Sequence, residues 1–172
     1  MMLLPIVIGL VALERLGELA YAAHNTRALK RQGGIEVGSD HYFLLVALHA
    51  AWLASLLILL PWTAPASWAW LGIMLVLQGL RLWTLASLGR YWTTRIVTLP
   101  QAPLVRRGPY RFLRHPNYLI VIGEIAVLPF AFGAWRIALV FSALNLALLA
   151  WRIRVEAQAL APRRGLPPAP AG

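Results

Sequence analysis

Of the 172 residues, 60% are hydrophobic and 13% charged, and the mean hydropathy is +0.67; a soluble domain carries about 25% charged residues. The composition therefore predicts an integral membrane protein. The formal charge of +10 would suggest a nucleic-acid partner in a soluble chain, but here the cations lie between apolar runs, where they serve as topology signals and contacts for anionic lipid rather than nucleic acid. The absence of cysteine excludes a disulfide, a thiolate metal ligand and a cysteine nucleophile.

The first apolar run, Leu3 to Ala23, lacks a basic start and holds Glu14, Arg15 and Glu18 in its second half. A cleaved signal segment does not carry three charges, so the run is expected to be a retained helix. Glu14 and Glu18 share a face one turn apart, and Arg15 is placed to pair with Glu18 at i+3. Charges at membrane depth face protein or a wet cavity, which leaves an interfacial ion pair or a polar pocket as readings. His24 to Asp40 forms the first polar connection, basic at Arg27, Lys30 and Arg31 and turning at Gly33-Gly34. Ser39 or Asp40 caps a second helix, His41 to Leu60, stopped by Pro61. His41, Leu45 and His49 repeat at i, i+4, i+8, too widely spaced for a zinc helix. Both imidazoles are expected to be structural, and their roles stay open.

Trp62 to Ser67 is an uncharged loop, and Trp62, Trp68 and Trp70 fit an interfacial aromatic belt. The third span runs from Trp68 to Leu88 and contains Gln78 and Arg81; an arginine this deep needs a partner, for which Glu14 and Glu18 are the candidates. Gly89 to Arg114 then carries six arginines and no acidic residue, with Tyr91, Trp92 and Tyr110 among them. Such a segment lies along anionic headgroups, and also has the make-up to close over an anionic ligand. Pro116 suits the first turn of a helix and biases His115 out of the helical region, setting the imidazole at a helix N-terminus that favours a carboxylate or phosphate. Asn117, Val121 and Glu124 follow on one face. A carboxylate at the depth of Glu124 needs a cationic partner or serves as a proton acceptor. Pro129 and Gly133-Ala134 mark a reversal into the fifth segment, Trp135 to Trp151, which continues unbroken to Leu160. Arg152 and Glu156 stand one turn apart on that extension, as a surface salt bridge or as part of a site. The tail from 161 to 172, rich in proline, is expected to be disordered.

Thirteen of the sixteen Lys and Arg fall on one side of this arrangement, Arg136 on the other, and two within spans. The expected fold is an all-α integral membrane protein of about five transmembrane helices, the last two a hairpin with a cytoplasmic extension, with the N-terminus out and the C-terminus in the cytoplasm of a bacterial inner membrane.

Gly108-Pro109-Tyr110 followed by Arg114-His115-Pro116-Asn117-Tyr118, then a helical hairpin ending in Arg152, Glu156 and Leu160, resembles the isoprenylcysteine carboxyl methyltransferase family of membrane enzymes over about Leu88 to Leu160. The glycine pair, Glu36, Gly38, His41-Tyr42 and His49 are similar to a bacterial branch associated with type III polyketide synthases, whose members O-methylate alkylresorcinols or alkylpyrones. The resemblance implies S-adenosylmethionine as methyl donor, bound by Arg114, His115, Tyr118, Arg152 and Glu156, with no metal. It divides the chain into a membrane region at 1–88, a cofactor-binding catalytic region at 89–160 and the tail. Two departures stand out: Ile120 where the family often has glycine, and Ala157 where it often has a second glutamate.

Methyl transfer needs alignment, exclusion of water and, for some acceptors, removal of a proton. A carboxylate needs no base, whereas a phenol, with a pKa of about 10 like tyrosine, does. Glu124 and His115 are the two candidates for that catalytic role. The acceptor expected is a lipophilic small molecule, most specifically a long-chain phenol; a prenylcysteine carboxylate or a phospholipid amine are alternatives, as is a non-catalytic lipid-binding protein.

Overall fold

The computed structural model describes residues 2–39, 42–100, 102 and 104–161; the Asp40 cap, His41 and the tail from 162 to 172 lie outside them. Five α-helices dominate: α1 (Leu3–Arg31), α2 (Tyr42–Leu59), α3 (Trp68–Leu88), α4 (Pro116–Ala131) and α5 (Trp135–Leu160). They alternate in direction. One end of the bundle gathers the C-termini of α1, α3 and α5 with the N-termini of α2 and α4, and the arginine-rich connections lie there; we call this end the rim. The opposite end is closed by short turns, with the Ser67 N–H donating to the Ala131 carbonyl at 2.8 Å and Gly133 taking φ +70°.

The protein is an all-α integral membrane protein. Three helices are long and apolar enough to cross a bilayer: α2, α3 together with the 3₁₀ turn Gly89–Tyr91 that extends it, and α5. At 16 residues α4 is shorter than the length of about 20 that a perpendicular span requires. α1 has the length but carries charges at mid-helix.

Two features depart from the sequence expectation. α1 does not end at Ala23 but runs on to Arg31, because Asn25, Thr26 and Leu29 beyond that point still find burial. Gly33, at φ +87°, stops it, and Gly34 approaches so closely that an added Cβ would lie 2.7 Å from the Leu29 carbonyl oxygen. The chain then forms a strand, β1 (Ile35–Val37), which pairs antiparallel with β2 (Ile96–Thr98) in the register Ile35↔Thr98, Glu36↔Val97, Val37↔Ile96. This small ribbon joins two connections sixty residues apart and sits on the rim.

Packing divides the bundle along its length. In the half away from the rim, Leu4, Ile8 and Val11 of α1, Trp52 and Leu56 of α2, Met74 of α3, and Ile125 and Leu128 of α4 form one buried core. With lipid outside, such contacts gain little from the hydrophobic effect and hold by close packing. Gly123 serves this, since a Cβ there would press on Leu77 of α3 at 3.1 Å. The rim half is not filled. A cavity of about 1140 Å³ occupies it, floored by Leu53 and Val121 of the same core.

Candidate active site

At the rim, the start of α4 and the end of α5 meet. Arg152 Nε donates to the Tyr118 hydroxyl at 2.8 Å, and that hydroxyl donates in turn to Glu156 Oε2. A second guanidinium nitrogen of Arg152 donates to the Thr94 carbonyl at 2.7 Å, tying β2's approach to α5, and Tyr42 meets the Thr94 hydroxyl at 3.2 Å. The His115 ring stacks on Tyr118, centroids 5.2 Å apart and planes 8° from parallel, with Nδ1 3.8 Å from Glu156 Oε2. Pro116 is the first residue of α4 and His115 lies outside it with φ −133°, the placement that an X-Pro step dictates. Thus His115, Tyr118, Arg152 and Glu156 stand together and line the cavity; Arg114 lines it from an exposed position. Tyr110 also faces this group. Burial and the Glu156 carboxylate push its phenol above the ordinary tyrosine range, so it stays a hydroxyl donor.

Glu124 is held elsewhere. Its Oε1 accepts from Arg15 at 3.1 Å and its Oε2 from Arg81 at 2.8 Å. Arg81 also grips Glu18 with Nε and with its second terminal nitrogen, the latter at 2.7 Å, and Arg15 pairs with Glu18 at 3.1 Å. Gln78 donates to Glu14 at 2.6 Å. Of the two expected partners of Arg81 it is Glu18 that is used, and Glu124 joins it. The result is a cluster that joins α1, α3 and α4 at membrane depth, with Glu18, Arg81 and Glu124 all at least nine-tenths buried. Arg15, Glu18 and Arg81 line the inner cavity, whereas Glu124 lies behind them.

Above the cavity, Glu36 bridges Lys30 and Arg95, and these two cations hold its carboxyl below the usual range. Asn25 fixes the neighbouring turn by donating to the carbonyls of Gly89 at 3.1 Å and Trp92 at 2.9 Å.

A methyl donor of the adenosylmethionine type carries an amino acid end and an adenosyl end, and the residues present fit it. Arg152 and Glu156 offer a cation and an anion side by side. Asn117 also lines the cavity, and its buried Oδ1 has no hydrogen-bond partner among the described residues. The volume exceeds the several hundred Å³ of an ordinary small-molecule pocket, leaving room for a second molecule beside the donor. Among the described residues no group of three His, Asp or Glu is placed to hold a metal ion.

Residues 70–162, spanning all of the rim cluster, match the family model described as the isoprenylcysteine carboxyl methyltransferase (ICMT) family. The chain belongs to that family. An uncharacterized protein, YpbQ, of Bacillus subtilis is 41% identical over 160 residues, covering 90% of this chain and 95% of its own length. An uncharacterized protein of Haemophilus influenzae is 26% identical, with 93% and 96% covered. No solved structure matches. ICMT membership points to a membrane methyltransferase, and the methyltransferases of this family in general use S-adenosylmethionine.

Thr94, Tyr42 and Tyr110 line the cavity besides the residues expected to bind the donor. Thr94 acts through its main-chain carbonyl, which no residue type reveals. The aromatic Tyr110 was visible beside the Arg-His-Pro string, but its nearness to Glu156 depends on how α5 returns.

Proposed function

We propose that the protein is an S-adenosylmethionine-dependent O-methyltransferase acting on a lipophilic acceptor in the membrane, specifically the hydroxyl of a long-chain alkylresorcinol or alkylpyrone. One observation carries the reading: a single cavity joins the Arg152–Tyr118–Glu156 group at the rim to an apolar wall between α1 and α2, where Leu16 and Val46 both line the cavity and face outward. A polar donor and an apolar acceptor then have separate approaches, from the aqueous rim and from the bilayer. Eleven of the Lys and Arg among the described residues lie on the rim side, which supports a cytoplasmic rim.

When bound, the donor supplies a methyl carbon already activated by a sulfonium. Arg152 and Glu156 hold its amino acid end through charge-assisted bonds. Arg114 adds positive charge at the mouth. Tyr118, fixed by two hydrogen bonds, and His115, stacked upon it, form a rigid wall that orients the donor and excludes water. Asn117 receives an N–H. Glu124, with each oxygen taken by a guanidinium, keeps Arg15 and Arg81 in place along the inner wall; this positioning role is the one its geometry favours over that of a base.

Calorimetry in detergent with S-adenosylhomocysteine, the demethylated donor, tests the assignment. Arg152→Ala or Glu156→Ala is expected to weaken binding at least tenfold while the helical content is unchanged. Undetectable binding to the wild-type protein overturns the enzyme reading. Transfer of labelled methyl to extracted lipids then identifies the acceptor, and label confined to prenylcysteine or to phospholipid amine overturns the phenolic assignment.

A further inference from the structure

One titratable group on the cavity wall has no part in the donor site. His49, in the middle of α2, presents its ring to the cavity two turns deeper than Tyr42. Its Nδ1 lies 2.8 Å from the Leu45 carbonyl oxygen. A carbonyl only accepts, so Nδ1 carries the hydrogen, and in the neutral ring Nε2 is left with a lone pair. Trp52 fixes the ring from one side by an edge contact, centroids 6.3 Å apart at 84°. Leu45, Val46, Leu53 and, from α1, Leu16 line the same cavity. A single oriented basic nitrogen in an apolar surround is costly to keep unless something donates to it.

Of the other bases near the cavity, the two carboxylates at membrane depth are engaged, and Glu156 and His115 lie at the rim. Glu18 accepts three guanidinium hydrogen bonds from Arg15 and Arg81, and Glu124 accepts two. Glu156 takes the Tyr118 hydroxyl, with His115 stacked beside it at the rim. The charged and titratable groups sharing the cavity with His49 are Arg15 and Glu18 from α1, Tyr42 from α2, Arg81 from α3, His115 before α4, Tyr118 from α4, and Arg152 and Glu156 from α5, with Tyr91, Tyr110 and the arginines of the connections at the mouth.

Resting on the reading of the cavity as a methyl-transfer site, we propose that His49 is the general base of the reaction: its Nε2 accepts the proton of the acceptor's hydroxyl. The O–H bond breaks toward the imidazole, and the freed oxygen pair forms the new bond to the methyl carbon. That carbon's bond to sulfur breaks, leaving a neutral thioether and a methyl ether, and the imidazolium gives its proton to water entering from the rim. A lipid phenol lying between α1 and α2 reaches this nitrogen with its tail still toward the bilayer. The substrate class is thereby narrowed to acceptors that arrive protonated.

The test uses the full-length protein in detergent and a long-chain alkyl nitrophenol, whose ionised form absorbs visibly. Without donor present, titrating the bound nitrophenol in the wild-type protein is expected to give half-ionisation at least one pH unit lower than in His49→Gln, which keeps a hydrogen-bonding group at the Nε2 position but has no basicity. His49→Asn, which keeps the donor to Leu45, is a second variant for the case where the first fails to fold. Equal titration in wild type and variant, or no binding of the nitrophenol to wild type, overturns the proposal. With donor present, His49→Gln is expected to lose about a hundredfold or more of turnover on an ordinary alkylphenol and under threefold on a dinitrophenol that arrives ionised. An equal loss on both also overturns it. A wild-type protein that shows the titration shift but transfers no methyl to any acceptor would sink the methyltransferase reading and leave the role of His49 as proton acceptor standing.

Discussion

Arg81 shows what a single residue does at membrane depth. It is 5% exposed and its three nitrogens serve Glu18 and Glu124, two carboxylates from helices that the chain does not make adjacent. Removing one partner of a buried ion pair leaves the others charged and unpaired, which costs about 3–5 kcal/mol. Arg81→Ala is therefore expected to lower the thermal midpoint sharply in detergent, whereas Arg81→Lys, which cannot reach both carboxylates with a planar fork, falls between it and the wild type. Thermal scans of the purified variants check the order. Glu124→Gln separates the two roles open to this residue: as a positioning group it lowers the midpoint and leaves acceptor ionisation unchanged. A variant as stable as wild type but without turnover on phenols would return Glu124 to the place of base.

Among the elements, the connections carry the instructive cases. Gly108 sits at φ +55° where an added Cβ would come 2.0 Å from the Ser87 hydroxyl of α3, while its neighbour Arg107 donates to the Ser87 carbonyl at 2.7 Å. Both the backbone conformation and the close approach exclude a side chain. Gly108→Ala should cost about 2 kcal/mol or more and weaken S-adenosylhomocysteine binding, because the segment leading to His115 can no longer seat against α3; binding within twofold of wild type refutes this. The ribbon of β1 and β2 is set by Glu36. Its depressed pKa means that the Lys30 and Arg95 pairs stabilise the ribbon above the ordinary value of 4.5 and are lost as pH falls through the lower folded value. The protection factors of the ribbon amides, which correct for the pH dependence of free-amide exchange, are expected to fall below about pH 4.5, and Glu36→Gln to show the low protection at every pH.

These elements also show where the sequence is readable. The α3 span, Trp68 to Leu88, matches the prediction at both ends, since Ser67 and Gly89 bound an unbroken apolar run. α4 begins at Pro116 as the X-Pro rule requires. The continuation of α1 to Arg31 was hidden because polar Asn25 reads as loop until its two carbonyl partners, sixty residues away, are known. The ribbon was hidden for the same reason: three residues of alternation carry too little pattern to be seen without the partner strand. The Arg-His-Pro-Asn-Tyr string and Arg152 with Glu156 are picked out by the family resemblance, and the fold brings His115, Tyr118, Arg152 and Glu156 to one cavity. What spacing along one helix could not give was the cross-helix use of Glu124.

For the whole molecule, the division into a packed half and a hollow half gives the two faces of the membrane unequal tasks. The far end is sealed by the core and by short turns, so a water-soluble donor enters only where the cavity opens, among the arginines of the rim. The positive-inside rule predicts that those arginines face the cytoplasm, where such a donor is made. Orientation is thus a condition of activity. Because the chain has no cysteine, single cysteines report it without background: Thr63→Cys in the exposed turn between α2 and α3, and Arg111→Cys on the exposed rim. In intact bacterial cells a membrane-impermeant maleimide is expected to label the cysteine at position 63 and to spare the one at 111, with both labelled after the inner membrane is opened. The reverse pattern would put the rim outside, away from any cytoplasmic methyl donor, and the cavity would then have to serve a ligand drawn from the other compartment.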